Sequence, residues 1–238
     1  MATNLWRGAA LCCSLLLPMR STMGFTRTST MLRAAQFSRT PTPPSMMMFA
    51  SAANAAAKKV LVPVADGTEE IEAVTVIDTL VRAGAEVTVA SVAPQLQVTC
   101  SRGVKLVADV PIAEAAGVEY DAIVCPGGMP GATNLKEDTT LTTMLTAQNQ
   151  AGRVVAAICA APAVVLQSHG LISGKSATCY PADAFKGAIE NYSEDIVVVD
   201  GNLVTSQGPA TALAFSLKLV EVLYGEDKSN ELKQQMLF

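Results

Sequence analysis

The chain has 238 residues, 50% of them hydrophobic and only 5% aromatic, with a formal charge of −4. That suits one α/β domain with an Ala- and Val-rich core. The longest apolar run, Ala9–Pro18, is about half of what a membrane-spanning helix requires, so no membrane partner is expected.

Residues 1–57 stand apart. They carry five arginines (Arg7, Arg20, Arg27, Arg33, Arg39), no acidic residue and seven of the ten methionines. An Arg-rich, hydroxyl-rich, acid-free tract has the composition of an organelle presequence. Ala9–Leu17 behind Arg7 also resembles the apolar centre of a signal peptide, and the two together fit two-step import into a complex plastid. A plain plastid or mitochondrial presequence is the simpler alternative, and an uncleaved disordered extension is the plainest. The ordering of compartments is plastid, then mitochondrion, then cytosol. Residues 1–57 are read as targeting sequence and 58–238 as the folded domain. Without the presequence the charge falls to −9, because none of the 21 acidic residues lies within it. An acidic domain without a basic stripe argues against charge-driven nucleic-acid binding.

Lys59–Ala65 reads as a buried first strand. Asp66-Gly-Thr-Glu69 has the spacing of a capping box opening a helix to about Ala83, with Gly84 past its end. Glu86–Ser91 is a second strand, and Val98–Val107 adds extended segments. Ala122–Cys125 is another apolar strand, ending in Pro126-Gly127-Gly128. A helical region follows from about Asp138 to Gln150. Val154–Ile158 is a strand ending at Cys159, with small residues and Pro162 opening a helical pattern behind it. Ile196–Val199 and Leu203–Ser206 form a hairpin, followed by a long helix to about Tyr224 and a short one over Asp227–Phe238. Alternating strands and helices imply a mostly parallel sheet covered on both faces, with its site outside the C-terminal strand edge.

Cys100, Cys125, Cys159 and Cys179 are widely spaced, which is neither a disulfide framework nor a zinc site. A thiol at a strand-to-helix elbow feels the positive helix end and nearby N–H groups, which favour thiolate. The same segment also suits a buried structural cysteine. In the first helix, Glu69 reads as the capping-box partner and Glu70 as a solvated charge. Glu72, among apolar neighbours, is either an ordinary exposed glutamate or an acid/base for Cys159 if burial raises its pKa. The glycines Gly127 and Gly128 either present N–H groups as an oxyanion hole or merely end a strand. His169, the only histidine, lies ten residues beyond Cys159, roughly 15 Å along a helix. It reads as a helix-end residue before Gly170, which removes classical Cys–His hydrolysis and any histidine-rich metal site.

Together, Gly67-Thr-Glu-Glu-Ile-Glu72, Cys100-Ser-Arg-Gly-Val104, Pro126-Gly-Gly128, Ala156-Ala-Ile-Cys-Ala-Ala-Pro162 and Thr205-Ser-Gln-Gly-Pro209 resemble the DJ-1/PfpI superfamily, and within it the DJ-1 and YajL branch. The resemblance implies a flavodoxin-like α/β sandwich and a homodimer, with Arg82 and Arg102 near its interface. It implies that Cys159 is the reactive cysteine, that Glu72 is a protonated partner to its thiolate, and that Gly128 and Ala160 line an oxyanion site. Ala160 stands where the protease-like branch has a histidine, and Tyr180 where DJ-1 has one, which makes Tyr180 a pocket residue. The function implied is cofactor-independent, metal-free glyoxalase or deglycase chemistry on α-oxoaldehydes such as methylglyoxal and glyoxal, or on glycated side chains. The alternative is a redox-sensing, chaperone-like protein whose cysteine is oxidised to sulfinate.

Overall fold

A computed structural model describes residues 57–238 of the chain. The presequence reading of residues 1–57 falls, but for its last residue, outside the described residues.

In chain order the elements are β1 (Lys59–Val64), α1 (Glu70–Ala83), β2 (Glu86–Ser91), β3 (Gln97–Thr99), β4 (Lys105–Val107), β5 (Val110–Pro111), α2 (Ile112–Ala115), β6 (Ala122–Cys125), α3 (Gly131–Glu137), α4 (Thr139–Gln150) and β7 (Val154–Ile158). A π-helical turn (Pro162–Leu166) and a 3-10 turn (Gln167–His169) lead to β8 (Ser176–Ala177), α5 (Asp183–Lys186), β9 (Asn191–Tyr192), β10 (Val197–Asp200) and β11 (Leu203–Ser206). A short 3-10 turn (Pro209–Thr211) then opens α6 (Ala212–Tyr224), followed by α7 (Glu226–Met236).

Seven strands form the central sheet in the order β10-β11-β7-β6-β1-β2-β5, parallel throughout except for the β10/β11 edge pair. Because both faces are covered, the central strands are continuous apolar runs: Val60, Leu61, Val62 and Val64 of β1 are all fully buried. Crossovers leave β1 in opposite directions, so their common right-handedness sets α1 on one face and α3 and α4 on the other. α1 buries Ala73, Val76, Leu80 and Ala83, one side of a 3.6-residue period, and packs beside α6 and α7. The chain reverses its direction of winding between β1 and β6, and a parallel sheet opens a crevice at that point.

This is the flavodoxin-like α/β sandwich that the family resemblance implies, with local corrections. The first helix begins at Glu70, later than the Asp66 box suggests. Gly67 sits at φ 84°, outside helical space, and Asp66 instead accepts from Thr99 N at 2.7 Å. Glu69 is itself the cap, its Oε2 accepting from Glu72 N at 2.8 Å. The segment Val98–Val107 is a separate antiparallel hairpin of β3 and β4. Helix α3 has no forecast in the sequence: Gly131, Thr133 and Asn134 are weak helix formers, and its packing against the turn after Cys159 holds it. No helix among the described residues is long and apolar enough to cross a membrane.

Candidate active site

Register brings the site together. Cys125 pairs with Ala157, so β7 runs one residue further, to Ile158 paired with Ser206. Cys159 is the first residue past that edge. It adopts φ 64°, a left-handed conformation that costs an L-residue roughly 1–3 kcal/mol. Both of its backbone groups are pinned: its N–H donates to Ser206 O at 3.0 Å, and its carbonyl accepts from Tyr180 N at 2.7 Å. These bonds hold the strained turn and project the side chain over the sheet edge.

Glu72 is completely buried. Its Oε2 accepts from Gly127 N at 2.8 Å, while Oε1 has no hydrogen-bond partner. The Cys159 thiol lies beside this carboxyl, close enough for each group to shift the other's proton affinity. Burial raises the Glu72 pKa from 4.5 to about 7, against the Gly127 hydrogen bond and the thiol, which lower it. A buried carboxyl with one oxygen satisfied by an amide and the other without a partner is suited to hold a proton on that second oxygen.

The expectation of a thiolate-favouring elbow needs correction. Burial, followed by the charge of Glu72, pushes the Cys159 thiol up to about 12, although the Gly128 and Ala160 N–H groups aimed at the sulfur pull it down. The helical end behind it is weak in N–H donors because Pro162 has none. Desolvation raises the other thiols too, Cys125 to about 12 and Cys179 to about 11. What separates Cys159 is therefore placement: the adjacent carboxyl, the two amides and access to a cleft.

The two glycine amides have different tasks. Gly128 N–H and Ala160 N–H point at the sulfur, whereas Gly127 N–H is committed to Glu72 and is not free for an oxyanion. Gly127, expected with the oxyanion donors, is instead the spacer between the Cys159 and Glu72 side chains. A Cβ at Gly127 would lie 2.6 Å from Cys159 Cβ and 2.9 Å from Glu72 Oε2, below any ordinary contact. Gly127→Ala is therefore expected to push thiol and carboxyl apart. Stability should fall by about 1–3 kcal/mol, read from the urea midpoint. Gly128, at φ 87°, has its Cα side filled by the Gly67 carbonyl and Glu69 N.

The cleft over Cys159 has a volume of about 470 Å³. Tyr180 lines it, with its ring edge-on to Phe185 at 6.5 Å, and Ser101 and Arg102 form another wall. Glu70, expected on a solvated face, is buried and holds that wall: Ser101 Oγ donates to its Oε2 at 2.9 Å, and Arg102 N donates to its Oε1 at 2.9 Å. No local pattern could have revealed this, because the partners lie more than thirty residues away on the hairpin. Arg82 is not at the cleft; it pairs with Asp78 at 2.7 Å on exposed α1. His169 is held by Lys136 O at 3.1 Å and Thr142 Oγ1 at 3.3 Å, against the ends of α3 and α4. Among the described residues no three Cys, His, Asp or Glu side chains are grouped to hold a metal ion.

A flavodoxin-like sheet carrying a strained elbow cysteine and a buried glutamate defines a class of α/β proteins that place a thiol and a carboxyl at one strand edge. Residues 58–222 match the sequence model of the DJ-1/PfpI family. The chain belongs to that family. It is similar, at 48% identity over 75% of its length, to protein DJ-1 homolog B of Arabidopsis thaliana, of which it spans only 41%. It is 36% identical over 174 residues, 73% of this chain and 91% of the other, to the glutathione-independent glyoxalase DJR-1.2 of Caenorhabditis elegans. The solved structure of oxidised Toxoplasma gondii DJ-1 superposes with a TM-score of 0.75 at 48% identity, covering 76% of this chain and 99% of that one.

Proposed function

We propose that the chain is a cofactor-independent glyoxalase or deglycase-type enzyme that acts on α-oxoaldehydes or their early adducts through Cys159 and Glu72. The observation that carries this reading is the fully buried Glu72 carboxyl beside the elbow thiol, its pKa raised by burial to about 7. The name of the nematode relative supports the same class of role.

The Cys159 sulfur attacks the aldehyde carbon while the ionised Glu72 accepts the thiol proton. Gly128 N–H and Ala160 N–H, already aimed at the sulfur, stand beside the forming C–O⁻ of the hemithioacetal. Glu72 gives the thiol proton to the alkoxide and is a carboxylate again, so it can remove the proton from C1 to form an enediolate and deliver it to C2, which leaves a 2-hydroxy thioester. Water hydrolyses the thioester, releasing the 2-hydroxy acid and restoring the thiol. Oxidation at C1 balances reduction at C2, so no external electron carrier enters the sum. The same hemithioacetal accounts for release of early adducts from glycated side chains.

The proposal includes a homodimer, supported by the exposed apolar side chains of Val74 and Val81 on α1. It also includes an organelle location, a plastid first, supported by the composition of residues 1–57.

Because Glu72 must start as a carboxylate, conversion of methylglyoxal to lactate without glutathione should rise with pH on one ionisation near 7. A rate that falls through that window, or no lactate at any pH, contradicts the reading.

A further inference from the structure

The cleft over Cys159 is far larger than the smallest α-oxoaldehydes require. At roughly 30 Å³ per non-hydrogen atom, the share a water takes in the liquid, the five heavy atoms of methylglyoxal fill about a third of its 470 Å³. Much of its lining is apolar. Ile71, Met129 and Tyr180, respectively 54%, 51% and 46% exposed, converge on it with Phe185 and Pro209. Single exposed apolar side chains are ordinary. Here, however, they come from α1, the loop after β6, the loop after β8, α5 and the turn before α6, and they meet at one opening. Apolar surface gathered around a concave site with few polar groups is the usual form of a small-molecule pocket.

The polar groups of the lining are few. Gly128 and Ala160 N–H groups point at the sulfur, and Glu72 lies beneath it. The Ser101–Arg102 wall is fixed by Glu70. The dicarbonyl head is thus received at the thiol, and the remainder of the substrate lies along Met129, Tyr180 and Phe185. Tyr180 is held in place twice, by its N–H to Cys159 O and by its ring edge on Phe185. The wall is therefore coupled to the elbow rather than free to swing away.

We infer that, if the reading of the site as an α-oxoaldehyde enzyme is right, its preferred substrates carry a branched or extended apolar group in place of the methyl of methylglyoxal. A buried methylene is worth about a fourfold gain in binding, and less where solvent still reaches it. The binding gain appears in kcat/KM because the group remains buried through the reaction.

The test is a homologous series of alkylglyoxals, from methyl to isobutyl, given to the full chain without glutathione, with kcat/KM measured for each. An alkyl series keeps the electronics of the dicarbonyl nearly constant, so the trend reads the wall. The expected result is a rise of about two- to fourfold per methylene, with isobutylglyoxal ahead of methylglyoxal by about tenfold or more. In Met129→Ala, a change at a half-exposed residue that the fold tolerates, and in Phe185→Ala, that advantage should shrink to threefold or less. A flat or falling series in the wild-type overturns the inference and leaves the reading of the site standing. An advantage unchanged in both variants overturns the assignment of the wall. Consumption of no member of the series overturns the reading of the site and the inference with it.

Discussion

Serine in place of Cys159 is expected to remove α-oxoaldehyde turnover, by about a thousandfold or more, without unfolding the chain. The change replaces one sulfur by a smaller oxygen and leaves the backbone bonds to Ser206 and Tyr180 untouched. It replaces a thiol, raised to about 12 but still within reach of a neighbouring base, by a hydroxyl that is a far weaker acid and nucleophile. Losing the group that forms the covalent intermediate leaves only what positioning and the amides can do. Cys100→Ser and Cys179→Ser should keep most of the activity, since neither thiol lines the cleft. Comparable losses in all three variants would contradict a single nucleophile. The measurement is methylglyoxal consumption, with circular dichroism showing that each variant is folded.

Glu72→Gln should separate function from stability. The amide keeps the shape and the acceptor for Gly127 N–H, but it cannot take the thiol proton. The expected loss of turnover is about a hundredfold to ten-thousandfold, the range for a general acid/base. Stability should move the other way. The folded-state pKa of Glu72, about 7, lies above the ordinary 4.5. Between those values the folded chain keeps a proton that the unfolded chain has lost. The wild-type therefore has its full stability below 4.5 and loses part of it as pH rises through 7. The loss corresponds to roughly 3 kcal/mol, taking about 1.4 kcal/mol per pKa unit. Glutamine does not ionise, so the variant should match the wild-type in urea midpoint below pH 4.5 and exceed it above 7. A wild-type that outlasts the variant at the higher pH would mean that Glu72 is stabilised as a carboxylate, against the burial seen here.

Much of this site was written in local pattern, and the remainder was not. The β-branched run into Cys159 and the small residues after it specify the elbow, because a tight strand-to-helix turn admits little else. Glu72 was legible from its apolar neighbours. Its proton affinity was not, since that depends on β6 and β7 closing over it from more than fifty residues away. Gly127 and Gly128 look alike in sequence, yet one amide serves Glu72 and the other the sulfur; only the path of the turn decides which. Asp66 has the spacing of a helix cap but is bound by the hairpin amide of Thr99, so the helix start moved. Glu70 looked solvated and is buried for the same reason, because that hairpin folds back over the start of α1. The thiolate expectation failed on magnitudes. The pull of two amides is real, but burial and a neighbouring carboxylate outweigh it.

The most direct measurement is lactate formation from methylglyoxal in glutathione-free buffer by the wild-type chain, with Cys159→Ser and Glu72→Gln beside it. Stoichiometric lactate is expected from the wild-type and almost none from either variant. Lactate from Cys159→Ser at the wild-type rate, or none from the wild-type, would contradict the proposed function.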